Sequence, residues 1–271
     1  MTKFAVRQQE WVLTSSTARV RNFWMGGKDW LDGDWSTGRE CAQIYPAITA
    51  LWSAARQFQV DAVRGLAARG VRQFLEVGVG LPGPRNRNTH EVAQAVHPDA
   101  RVVYVDDDPV VLSHARALLT PVTAEGHVEV VAAGVGDSDR IVAAADRVLD
   151  WREPVAVLLC GALGLVADWG KARRVVSTVM GALAPGSWLV WWDGTDTDPR
   201  AVTMWQHYSL SAPSYEPRDP DQLRDLFDGL VLETDDLVPL YESRSPSTGF
   251  GPGTPLAAVC AIARKPAETV W

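Results

Sequence analysis

The chain reads as an α/β protein built on a mostly parallel sheet with helices on both faces. Three observations predict it. Short apolar runs alternate with helical patterns along most of the sequence, which implies parallel strands joined by right-handed crossovers. One run, Val155-Ala156-Val157-Leu158-Leu159-Cys160, is apolar throughout, as a strand covered on both faces should be. The run Phe74-Leu75-Glu76-Val77-Gly78-Val79-Gly80-Leu81-Pro82 ends on a carboxylate and breaks into a glycine turn. A strand that stops this way presents its carboxyl end to a ligand at the crevice of an open sheet.

In order along the chain, residues 1–17 are polar, with Trp11 and Val12 as their apolar anchor, and suit an arm or short helix over a site. Residues 18–30 carry Gly26-Gly27 between aromatics and both charge signs. The double glycine forces a turn or close backbone approach, and the segment suits a lid. Residues 34–37 add a turn signal and a helix cap. Across residues 47–68, Ile48, Leu51, Trp52, Ala55, Phe58, Val63 and Leu66 recur at helical spacing, and Gly70 stops the run.

Residues 71–77 form the first strand and 83–88 a loop. A helix follows over 89–96, with Glu91 in its first turn. The second strand covers 101–105. Pro109 opens a helix to 119 at a position where its missing N–H costs little. Residues 128–132 are the third strand, 139–149 a helix, 155–160 the fourth strand and 168–183 a helix stopped by Pro185-Gly186. The fifth strand, 188–192, ends at Asp193. The Pro-rich residues 196–220 read as a long insertion holding His207 and Tyr208, and a helix covers 220–227. Residues 237–241 and 256–263 read as two strands, joined by a Gly/Pro-rich connection at 249–255 and paired as an antiparallel hairpin at one sheet edge. The expected division is an N-terminal lid of residues 1–60 and a main domain of residues 61–271.

At 271 residues and 46% hydrophobic composition, one large domain has enough chain for its own core. No apolar run reaches the ~18 residues that span a bilayer. The N-terminus lacks the apolar core of a signal peptide, so the cytoplasm is the expected compartment and no membrane partner is expected. Cys41, Cys160 and Cys260 are far apart with no C-x-x-C pair, which is neither a disulfide framework nor a zinc site, and no metal is expected. A net charge of −7, with only small basic clusters such as Arg173-Arg174, argues against nucleic acid as partner. Oligomeric state is not legible.

The glycine turn and the second strand together form a nucleoside-binding half. Gly78, Gly80 and Gly83 satisfy G-x-G-x-x-G, but Pro82 and Pro84 flank Gly83 and the helix starts only near Thr89. In a dinucleotide fold the third glycine lies at the helix start. The acidic residue ending the second strand is also about thirty positions after Gly78, where that fingerprint expects about twenty. NAD is therefore disfavoured. S-adenosylmethionine needs no phosphate cradle. Glu76 and the Gly78–Gly80 turn offer groups for its amino-acid tail, and Asp106, with Asp107 beyond it, offers a carboxylate for its ribose hydroxyls.

At this point the sequence resembles the actinobacterial S-adenosylmethionine-dependent methyltransferases formerly catalogued as a domain of unknown function. The matching stretches are Ala18-Arg19-Val20 with Gly26-Gly27-Lys28-Asp29, residues 73–82, Asn88-Thr89-His90-Glu91-Val92-Ala93-Gln94, residues 102–119, Phe227-Asp228-Gly229-Leu230 and Arg264-Lys265-Pro266. The resemblance covers roughly residues 17–266. It implies the Rossmann-like class I methyltransferase sheet, seven strands with the last reversed, behind an N-terminal helical lid. After the third strand the family tends to show Asp, a gap, then Arg-Asp. Here Ala133-Gly134-Val135-Gly136-Asp137 keeps only the final Asp, so the backbone at Gly134 and Val135 is the expected adenine contact. After the fourth strand, Gly164-Leu165 stands where the family tends to carry His-Phe, which implies a reshaped acceptor pocket. Cys160 completes the expected donor-binding set.

Methyl transfer is a displacement from a sulfonium and rests on positioning and water exclusion. A general base is needed only if the acceptor holds its proton until attack; His207, Tyr208 and Asp29 are the candidates, while His90 is expected to order the glycine loop. Twelve tryptophans against six phenylalanines point to a small aromatic or heteroaromatic acceptor of specialised metabolism, an indole among them. Trp24, Trp30, Trp191, Trp192 and Trp205 are the expected acceptor contacts. Two alternatives stand beside this reading: a module that binds the cofactor without transferring, and an NAD-dependent oxidoreductase.

Overall fold

The computed structural model describes residues 15–84, 87–240 and 256–267. Residues 1–14 of the arm expected over 1–17, Tyr241 and the connection at 249–255 lie outside the described residues. The N-terminal part is three helices, α1 (Thr17–Trp24), α2 (Asp32–Ile44) and α3 (Ile48–Ala68). The run α2 was not expected beyond a cap, because its sequence is polar and interrupted by Gly33 and Gly38. Asp34 explains why it holds. Its buried carboxylate accepts from Arg19 Nε at 2.6 Å, from the Ser16 N–H and from the Leu31 N–H. One side chain thus caps α2 and pins α1 to it. The expected boundary at residue 60 falls inside α3, a single 21-residue helix, so the lid and the main domain share a continuous element.

The sheet elements follow: β1 (Gln73–Val77), α4 (Thr89–Gln94), β2 (Arg101–Asp106), α5 (Pro109–Leu118), β3 (His127–Ala132), α6 (Ser138–Ala145), β4 (Val155–Cys160), α7 (Trp169–Ala182), β5 (Trp188–Gly194), α8 (Pro199–Tyr208), α9 (Pro220–Arg224), β6 (Val231–Leu232), β7 (Val238–Pro239) and β8 (Ala258–Arg264). Three of these helices start with the same device. Asp108, Asp198 and Asp219 each precede a proline and accept a hydrogen bond from the backbone N–H two residues on, and the proline takes the first helical position, where no N–H is needed. That repeat corrects the reading of residues 196–220 as insertion: α8 occupies ten of them.

Strand order is β3-β2-β1-β4-β5-β8-β6. The first five are parallel, and β8 runs antiparallel to β5 from Trp188↔Arg264 to Gly194↔Ala258. β8 therefore sits one place in from the edge, and β7 pairs with it as the expected antiparallel hairpin. The short β6 and β7 both pair with it antiparallel, two pieces of one interrupted edge strand. The result is the seven-position, mostly parallel sheet with a reversed last strand that the sequence led us to expect.

Two apolar layers flank the sheet. One packs α1, α3 and α8 on Phe74, Tyr104, Leu158 and Trp192. The other packs α6 and α7 on Leu75, Val103, Leu159 and Trp191. Neighbouring residues of a strand face opposite ways, so Trp191 and Trp192 belong to different layers. The carboxyl ends of β1, β2 and β4 open between α1 and the loop after β3.

Candidate functional site

Two cavities occupy that opening. The larger, about 490 Å³, is lined by Asp106, Asp107, Gly134, Val135, Leu165 and Lys171 among others. The smaller, about 30 Å³, is lined by Trp52, Arg56, Gln59, Glu76, Cys160 and Trp192 among others. They share four lining residues, Ala18, Arg21, Gly78 and Gly80.

The turn after β1 shapes the junction. Gly78 and Gly80 adopt φ of +74° and +66°, a backbone region that other residues enter at a cost. The N–H groups of Gly78 and Val79 both donate to Val105 O, which ties the turn to β2. A Cβ on Gly78 would lie 3.0 Å from that of Ala162. Asp106 closes the turn: its Oδ2 accepts from Gly80 N–H and its Oδ1 from Asp108 N–H, each at 3.0 Å. Burial pushes its carboxyl above the usual range, against those two hydrogen bonds. The three consecutive aspartates divide their roles. Asp107 approaches Gly134, where a Cβ would meet its Oδ2 at 2.9 Å. Asp108 caps α5 and accepts from Ser16 Oγ at 2.7 Å, so the start of α1 is tied to the cavity rim.

In the smaller cavity Glu76 is buried. Gln59 Nε2 donates to one of its oxygens at 2.8 Å and Thr89 Oγ1 to the other at 2.6 Å. Burial raises its carboxyl, opposed first by the charge of Arg56. Trp52 Nε1 is buried with no hydrogen-bond partner among the described residues. An unpaired buried donor is costly, and here it belongs to a residue lining a cavity. Together these features fit S-adenosylmethionine. A carboxylate and backbone approach suit an adenosine in the larger cavity. Guanidinium, indole N–H and carboxylate suit a zwitterionic tail in the smaller. Among the described residues, no group of three or more His, Cys, Asp or Glu side chains is placed to hold a metal ion.

All eight residues expected at the donor line one or both cavities: Glu76, Gly78, Gly80, Asp106, Asp107, Gly134, Val135 and Cys160. Burial pushes the Cys160 thiol well up, so it lines the wall as a neutral group. The expected bases fare differently. His207 lines neither cavity; it is a surface residue whose Nε2 lies 2.9 Å from Glu40. Asp29 is exposed and lines neither cavity; it lies on an outer groove of about 860 Å³ that shares Met25 and Arg56 with the smaller cavity. Tyr208 is buried, donates to Thr17 Oγ1 at 2.9 Å and has its hydroxyl pushed up to about 12 by burial, so it reaches the larger cavity only through Thr17. His90 is buried against the Tyr104 hydroxyl at 2.9 Å, in keeping with an ordering role behind the glycine loop.

The aromatic set also needs correction. Trp192 lines the smaller cavity and meets Trp52 edge to face at 5.0 Å. Trp24, Trp205 and Tyr208 form a buried cluster behind that pair. Trp191 packs on Phe227 across the sheet. Trp30 closes the double-glycine turn, donating to Gly27 O. Sequence reasoning missed Arg21, Trp52, Arg56 and Gln59, all on α1 or α3. The available signal was a polar side chain placed on the apolar face of a helix.

A family model described as S-adenosyl methyltransferase matches residues 9–266. A solved structure of a DUF574-family protein from Streptomyces avermitilis is 32% identical, covers 93% of this chain and 98% of its own, and superposes with a TM-score of 0.86. A Thermobifida fusca protein, assigned provisionally as a methyltransferase, is 33% identical over 94% of this chain and 96% of its own, with a TM-score of 0.83. No curated protein matches.

Proposed function

The chain belongs to the S-adenosyl methyltransferase family and is an S-adenosylmethionine-dependent methyltransferase; from that premise we propose that its acceptor is a small aromatic or heteroaromatic metabolite, an indole among the candidates, in specialised metabolism. The observation that supports this reading is the aromatic lining beside the donor tail, Trp192 against the edge of Trp52, whose own faces are covered by Arg21 and Trp24. An aromatic wall favours a planar apolar acceptor and attracts a sulfonium by cation–π contact.

When bound, S-adenosylmethionine supplies an electrophilic methyl group on a sulfonium. The chain's own residues supply position. We assign Asp106 to the ribose hydroxyls and the Gly134–Val135 backbone to the adenine. We assign Arg56, Trp52 Nε1 and Glu76 to the two ends of the amino-acid tail. The Leu165–Val166 segment and α1 close the larger cavity from opposite sides and exclude water, which strengthens every charge interaction within.

The acceptor is read as a small molecule and not nucleic acid, given the net charge of −7. No helix among the described residues is long and apolar enough to cross a membrane, and we read the compartment as the cytoplasm. The test is incubation with methyl-labelled donor and an extract of the producing cells. Label is expected in a small aromatic product; label that stays on the donor with every small-molecule fraction would contradict the acceptor class.

A further inference from the structure

We propose that Arg21 selects an acceptor carrying an anionic group, a carboxylate or an ionised phenol-type oxygen, at the atom that takes the methyl. This rests on the donor assignment above and adds the charge of the second substrate.

The argument is one of connectivity. In the donor, sulfur joins the adenosyl part to the amino-acid part. If these parts occupy the larger and the smaller cavity, the sulfonium lies where the cavities meet. The residues lining both are Ala18, Arg21, Gly78 and Gly80. Only Arg21 among them carries a functional side chain. It is buried. Its guanidinium lies 4.6 Å over the ring of Trp52, and Nη2 donates to Gly161 O in the loop after β4 at 2.5 Å. Among the described residues no carboxylate lies within 4.0 Å of its nitrogens.

The other charges around it do not cancel it. Asp193 is the buried carboxylate whose charge Arg21 influences, but Arg218 acts on it more strongly, and its Oδ1 accepts from Tyr215 and the Gly164 N–H. Glu76 faces Arg56, Gln59 and Thr89. Arg56 lies on the other side of the smaller cavity, towards Gly83, and is the guanidinium placed for the single carboxylate of the donor tail. One cation therefore remains beside the position of another. Like charges in a water-poor site repel strongly, and a buried guanidinium without an anion is costly. An anionic acceptor between the two resolves both. It also matches the absence of a histidine from either cavity lining. The acceptor arrives already ionised, so no group on the protein has to remove a proton during transfer. A lone pair of the acceptor forms the bond to the methyl carbon. The carbon–sulfur bond breaks with its pair on sulfur, and the sulfonium and the anion both become neutral.

Two measurements on the intact chain test this. Calorimetry is run with S-adenosylhomocysteine and S-adenosylmethionine on wild type and Arg21→Gln. Affinity for S-adenosylhomocysteine is expected to hold within about threefold, and S-adenosylmethionine to gain relative to it once the cation is gone. A loss of about tenfold or more in S-adenosylhomocysteine affinity would overturn the proposal, because Arg21 would then serve the donor tail. Bromide, as a size-tolerant anion probe, is soaked into crystals of the wild-type S-adenosylhomocysteine complex. An anomalous peak in hydrogen-bonding contact with the Arg21 guanidinium is expected, and none there would overturn the proposal even if Arg21→Gln fails to fold. Failure of S-adenosylhomocysteine to bind wild type at all is a separate result; it would remove the donor assignment itself.

Discussion

Gly78 is constrained twice over at the donor corner. Its φ of +74° excludes ordinary side chains, and a Cβ would press on Ala162 at 3.0 Å. Gly78→Ala should therefore lower affinity for S-adenosylhomocysteine by about tenfold or more while the chain still folds, since strain of this kind costs about 1–3 kcal/mol; calorimetry and a thermal melt read the two effects. Arg56 makes a sharper prediction, because it is assigned to one end of the ligand. Arg56→Gln should weaken S-adenosylhomocysteine by roughly tenfold, the loss of one charge-assisted hydrogen bond. Binding of 5′-methylthioadenosine, which has no amino-acid tail, should stay unchanged. Equal losses for both ligands would place Arg56 elsewhere. At this scale the sequence showed the strand-borne residues well. Glu76, Gly78, Gly80 and Asp106 sit where a strand end meets a turn, and their order alone puts them at the crevice. Arg21 and Arg56 come from helices, and which helical face meets the site depends on packing that sequence periodicity does not specify. The pair Trp191-Trp192 shows a limit that was legible: adjacent strand residues cannot both face one pocket.

The loop between β4 and α7 is the element that the rest of the site leans on. Asp193, at the end of β5, holds it through the Gly164 N–H at 3.2 Å and through Tyr215, which stacks on Trp205 at 4.0 Å. Burial raises the Asp193 carboxyl to about 6, against the lowering effect of the Tyr215 hydrogen bond and the Arg218 charge. The sign follows from linkage. The folded chain holds this proton more tightly than the unfolded one, whose aspartate titrates near its ordinary value. The contribution to stability is therefore fully present below about pH 4 and is lost as pH rises through about 6. Denaturant unfolding of wild type and Asp193→Asn across that window should show the wild type losing stability relative to the variant by about 2–3 kcal/mol. A constant difference between them would contradict a carboxyl titrating there. Element legibility followed pattern strength. The apolar strands and α3 were read nearly to their ends. The helix α8 was taken for insertion because its prolines drew attention as breakers, although Asp198-Pro199 repeats the cap of Asp108-Pro109. The helix α2 has a polar, glycine-interrupted sequence and is fixed by Asp34 and Arg19, a tertiary contact that no local pattern announces.

At the scale of the molecule, the architecture was legible because strand–helix alternation leaves few topologies, and the family resemblance supplied the reversed last strand. What was not legible was the short β6, which with β7 makes the edge beyond β8 an interrupted one, and the sharing of α3 between the N-terminal part and the main domain. Both depend on contacts distant in sequence. The shared helix has a consequence for the whole fold: donor binding at α1 and α3 should stabilise the chain as one unit. S-adenosylhomocysteine at about a hundred times its dissociation constant should add ~2.7 kcal/mol to unfolding and move a single melting transition upward, while NAD should leave it in place. Two separately moving transitions would contradict that unity. The central claim is that one aspartate at the end of β2 grips the donor's sugar while the glycine turn beside it holds the junction of two cavities. Calorimetric titration of S-adenosylhomocysteine into wild type and Asp106→Ala tests it most directly. One-to-one binding to wild type and a loss of about 1.5–3 kcal/mol or more in the variant are predicted; equal affinity in the two proteins would contradict the account.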